Sequence, residues 1–136
     1  MARPISADDR NYSAPLLAAA LAKQDTAEVA LALRNGKVVV PLLDVRGPDQ
    51  VRVFRRDDAD KYMLLLFSSA ENYVKMVPTE TNQRVVMYDR ATLLDFLEQN
   101  QGVIEAVIFD LAGPNAMQAE PVEIIRALTL EHPDGP

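Results

Sequence analysis

The chain has 136 residues, 49% hydrophobic and 25% charged, the mix of an ordinary packed domain. It contains no cysteine, which excludes disulfides, thiolate metal sites, iron–sulfur clusters and a cysteine nucleophile. Its net charge of -6 and pI of about 4.7 argue against nucleic acid and anionic membrane surfaces, whose phosphates are bound by clustered Lys and Arg.

Residues 1–11 carry mixed charge without periodicity and are expected to form a flexible tail. They have no apolar core of a secretory signal, and no run approaches the roughly 20 residues of a membrane span. A cytoplasmic protein is expected. Asn11 or Ser13 is placed to cap a first helix, with Pro15 in its first turn and Leu16, Leu17 and Leu21 on one stripe. Asp25 followed by Glu28 opens a second helix, which Asn35-Gly36 ends in the left-handed conformation both residues tolerate.

Lys37 to Leu43 is β-branched and apolar and predicts a strand, with Pro41 pointing to an edge position or a bulge. Residues 44–49 read as a turn, Gln50 to Phe54 as an alternating half-buried strand, and Arg55 to Lys61 as a polar connection. Tyr62 to Phe67 predicts a buried strand. Ser68-Ser69-Ala70-Glu71 has the pattern of a capping box, opening a helix to about Met76 that Pro78 stops. Arg84 to Tyr88 predicts a short strand, and Asp89 caps a helix with Leu93, Leu94 and Leu97 on one stripe. Val103 to Pro114 is nearly unbroken in its apolarity and predicts a strand covered on both faces, closed by Ala112-Gly113-Pro114. The chain then reads as irregular to Glu120. Pro121 opens a last helix with Val122, Ile125 and Leu128, and residues 132–136 form a second flexible tail.

The order is helix-helix-β-β-β-helix-β-helix-β-helix. It predicts an α+β (mixed α/β) domain over residues 12–131, with a single mixed sheet of about five strands covered by helices. The early strands are close enough for antiparallel pairing, and the later alternation points to parallel or mixed pairing.

Several segments in this order resemble the N-terminal domain of the SseB, or enhanced serine sensitivity, family of bacterial proteins. They are Ala32-Leu33-Arg34-Asn35-Gly36, Val38-Val39-Val40-Pro41-Leu42, Leu66-Phe67-Ser68-Ser69-Ala70-Glu71 and Val107-Ile108-Phe109-Asp110-Leu111-Ala112-Gly113-Pro114. Leu111 stands where the family often has proline. The resemblance spans most of residues 14–130 and leaves no room for the family's frequent second domain. It implies no catalytic residue to carry over. It does imply an accessory role, with some relatives near specialised secretion systems in actinobacteria.

Read as chemistry, the residues give little to an enzyme. The single histidine, His132, falls in the expected tail, and Asp57, Asp58 and Asp60 lack the glycine and bidentate glutamate of a calcium loop. Ser68-Ser69 lies outside any nucleophile-elbow pattern and reads as helix capping. No glycine-rich phosphate loop is present, and Tyr73, Met76 and Tyr88 read as core. No metal or cofactor is expected. Asp44 and Asp110 both follow apolar strands and are the candidate acid pair, more simply read as bonding turn amides. Asp110, Gly113, Pro114 and Asn115, with Asp44, are therefore the candidate ligand or partner contacts. The expected function is a non-enzymatic protein-binding or regulatory module. The alternatives are a small-molecule-binding domain or unrecognised enzyme using acids at strand ends, and a structural homodimerisation unit.

Overall fold

The computed structural model describes residues 12–43, 47–48, 50–77 and 83–129. In chain order the elements are α1 (Pro15–Lys23), α2 (Thr26–Asn35), β1 (Val38–Leu42), β2 (Tyr62–Leu66), α3 (Ala70–Met76), β3 (Arg84–Tyr88), α4 (Arg90–Gln99), β4 (Ile104–Phe109), β5 (Met117–Ala119) and α5 (Pro121–Thr129). The fold is the mixed α/β arrangement read from the sequence, with differences in detail. The expectations for residues 1–11, for most of the 44–49 turn, for Pro78 and for residues 132–136 fall outside the described residues.

The sheet consists of two ladders. β1 pairs antiparallel with β3, and β4 lies between a parallel β2 and an antiparallel β5. Among the described residues a single bridge joins them, Val39 exchanging both backbone hydrogen bonds with Phe67 just past β2. The lateral order is thus β3-β1-β2-β4-β5. The segment read as a strand at 50–54 forms only bridges. Arg52 donates to the Pro41 carbonyl, and Phe54 exchanges hydrogen bonds with Met63. It fills the wedge where β1 and β2 diverge. Pro41 therefore sits inside the sheet, neither at an edge nor at a bulge. Its missing donor faces that wedge, where the pairing changes partner. Residues 117–119, read as irregular, form β5 instead. Three residues without β-branching carry too little pattern to mark a strand.

Several caps are as expected. Asp25 accepts from the backbone of Ala27 and Glu28, and Asp89 from that of Thr92. Ser69 caps α3 by accepting from Asn72. At α1 the expectation fails: Ala14 is the cap without a side-chain bond, and Ser13 is spent on a bridge to Ser69. Gly36 ends α2 in extended backbone, φ -132°, not left-handed. Glycine is favoured there by space, because a Cβ would stand 3.1 Å from the Ala32 carbonyl and 3.3 Å from Leu16.

Alternation along the strands sorts the core. Val38, Val40, Leu64, Leu66, Val107 and Phe109 face a layer built from α1, α2, α4 and α5. Val39, Leu65, Phe67 and Val85 face α3, where Tyr73 tilts against Phe67 and its hydroxyl accepts from Arg52. In β4 the register skips Glu105, since Tyr62 opposes Ile104 and Met63 opposes Ala106. Such a bulge resets the phase of the strand. It lets both Ile104 and Val107 face the helical layer and leaves the Glu105 carboxylate to meet Arg56.

Candidate functional site

The candidate contacts on the turn after β4 are brought together, but in two different roles. Asp110 follows the last residue of β4 with φ +49°, a left-handed conformation that Asp tolerates better than most side chains. It is 4% exposed and points inward. Its Oδ1 accepts the Ser68 backbone N–H at 2.8 Å, and its Oδ2 accepts the Ser68 hydroxyl at 2.6 Å. The Asn72 amide approaches the Ser68 oxygen at 3.4 Å. The Asp110 backbone donates to Leu66 and accepts from Gly113, closing the turn.

Ser68 is equally enclosed, at 4% exposure. A carboxylate within reach of a hydroxyl resembles an activated nucleophile in isolation, yet both groups are buried and each carboxylate oxygen is engaged by Ser68. The arrangement ties the end of β2 to the end of β4 by charge-assisted bonds, of the kind that contribute about 1.5–3 kcal/mol.

Around this staple the turn presents carbon to solvent. Leu111 is 46% exposed, and Ala112, Pro114 and Ala116 are exposed beside it. Asn115 is half-buried; its carbonyl accepts from Gln24 Nε2, which also bonds the Leu21 carbonyl at the end of α1. The lip formed by residues 111–116 is thereby anchored at both ends. Asp44 lies outside the described residues.

Beside the lip, an apolar groove of about 380 Å³ runs between α2, β5 and α5. Phe109, Met117, Ala27, Ala30 and Ala127 line it, with Glu123 and Arg126 among its polar groups. None of the described sequence candidates lines it.

Elsewhere the charged groups do structural work. Arg56 donates to both Glu105 oxygens, at 3.1 and 2.7 Å, and those hydrogen bonds hold Glu105 below its ordinary carboxylate value. The Thr92 backbone N–H does the same to Asp89. Among the described residues no group of three or more His, Cys, Asp or Glu is placed to hold a metal ion, and no helix is long and apolar enough to cross a membrane.

Sequence reasoning singled out Asp110 and missed its partner. The signal was present: Leu65-Leu66-Phe67-Ser68 and Val107-Ile108-Phe109-Asp110 both run from apolar residues through phenylalanine to a polar terminator. Parallel neighbours that end alike bring their terminators together.

The family model described as SseB protein N-terminal domain matches residues 14–126. No curated protein and no solved structure gives a significant match to the chain.

Proposed function

The chain belongs to the SseB N-terminal domain family, and from that premise we propose that it is a non-enzymatic accessory module that binds a protein through the lip at residues 111–116. The observation that carries this reading is the fate of Asp110. The one described acid of the candidate set is turned inward and bound by Ser68, so what the turn offers a partner is a fixed apolar edge, not a reactive group. Exposed carbon on a restrained turn gives contact area at small entropic cost, because little is left to immobilise on binding. A leucine and a proline surrounded by small residues suit the centre of a modest interface.

The test is affinity capture of the tagged chain from its native host, wild type beside Leu111→Glu. Leu111 is half exposed and outside every helix and strand, so the variant is expected to fold, which circular dichroism checks. A discrete co-purifying protein lost with Leu111→Glu and retained with Thr92→Glu on α4 supports the proposal. A set of captured proteins unchanged by Leu111→Glu overturns it.

A second reading rests on the groove beside β5. Its volume and apolar lining suit a small hydrophobic ligand, with Arg126 available to an acidic head group. Mass spectrometry of the protein under native conditions, as purified from its host, tests that reading: a bound small molecule displaced by Ala30→Trp supports it.

A further inference from the structure

We infer that the chain pairs with a second copy of itself through the outer edge of β3, in antiparallel register about Val86. The backbone directions follow from the ladder. Val39 is hydrogen-bonded to Phe67 and the Pro41 carbonyl to Arg52, so both residues point away from β3. Their partners across the ladder, Met87 and Val85, must then point away from β1. Among the described residues no backbone group is bonded to these outward N–H and C=O groups outside the ladder.

The other sheet edge is a poorer docking strand. β5 has three residues, and of these Gln118 alone is directed outward, because the neighbouring Asp110 donates to Leu66 on the opposite side of β4 and fixes the alternation. A very short edge strand is a standard protection against pairing. β3 has five residues, two of them outward at alternate positions, with no proline, lysine or bulge.

The edge is also self-complementary. In an antiparallel pair centred on Val86, Val85 meets the second copy's Met87 and exchanges both backbone bonds with it, and the reverse pair does the same. Arg84, Val86 and Tyr88 then occupy the non-hydrogen-bonded positions, where side chains approach most closely. Val86 meets its own counterpart. The positive Arg84 faces the electron-rich ring of Tyr88 on the second copy, twice by symmetry. All three side chains are half-buried and lie on the face of the helical layer, so the shared sheet would continue that layer across the two-fold axis.

The absence of cysteine makes the register directly testable. Val86→Cys in the full chain places the sole thiol opposite its own copy, and Gln118→Cys places it on the other edge. The expected result is a sedimentation mass near twice that of one chain and rapid oxidation of Val86→Cys to a disulfide-linked dimer. Gln118→Cys should stay reduced under the same conditions. Arg84→Ala, which leaves the backbone edge intact and removes both symmetric cation–ring contacts, should weaken the association roughly five- to thirtyfold. A monomeric mass up to sub-millimolar concentration overturns the inference. So does a dimer in which Gln118→Cys cross-links and Val86→Cys does not. Thermal melts of each variant separate loss of pairing from loss of fold.

Discussion

The two faces of the sheet are built to different depths. On one, α1, α2, α4 and α5 close over β1, β2 and β4 and leave Leu17, Leu21, Leu64, Leu66, Leu97, Phe109 and Leu128 without exposed surface. On the other, α3 is only seven residues long and covers β1 and β2 with Phe67 and Tyr73, while Glu105 and Ile108 of β4 stay half-buried. The same strand therefore serves two environments. A run of apolar residues shows that a strand is shielded, but not that the shield is equally thick on both sides.

Substitutions along β4 break or sharpen this contrast. The largest effect belongs to Phe109→Ala, on the helical side. The cavity under four helices is expected to cost about 3–5 kcal/mol in urea unfolding. A loss below 1 kcal/mol would mean that the helical layer is not the principal core. Next comes Asp110→Asn, at the seam between the faces. An asparagine keeps the left-handed backbone but sets an amide against a serine donor, so about 2 kcal/mol should be lost. An unchanged denaturation midpoint would show that the staple holds nothing. Ile108→Ala, one residue from Phe109 on the thin side, should cost only about 1 kcal/mol, since less of its surface is removed from water. If it matched Phe109→Ala, the two faces would be equivalent and the contrast would fail.

The smallest effect is expected at Arg56→Ala, an exposed pair whose contribution salt screens. Glu105 is held below its ordinary 4.5 in the folded chain. The stability it brings is present above that unfolded value and fades as pH falls through the lowered folded value. Melting curves of wild type and Arg56→Ala should therefore converge on acidification. A gap that widened toward low pH would contradict the pairing.

Much of this architecture was legible in the residues, and the failures have physical causes. Asp25, Ser69 and Asp89 announced their helices because a capping oxygen acts locally. Arg84 to Tyr88 was found at its true limits, helped by its β-branched and aromatic content and by the cap after it. The segment at 50–54 misled because alternation reports which way side chains point, and not how many ladder bonds the backbone completes. β5 was invisible because Met-Gln-Ala gains its strand state from β4. The Glu105 bulge also left no mark, since register is settled between strands. At the candidate site the residues pointed to Asp110 as a contact, and its inward orientation could not be read from them because it depends on Ser68, forty-two positions away along the chain. Such a bond has no periodicity to betray it.

The route of the chain has a consequence for how the molecule assembles in time. β2 and β4 are neighbours, yet between them the chain visits the far edge as β3 and returns, so their ladder closes a long loop. The β4–β5 hairpin closes across residues 110–116 alone, the shortest excursion of any paired strands described. Short closures cost little chain entropy and form early, and distant ones wait. The hydrogen bond from Gly113 to Asp110 would then stand among the first to form, with the central parallel ladder among the last to lock.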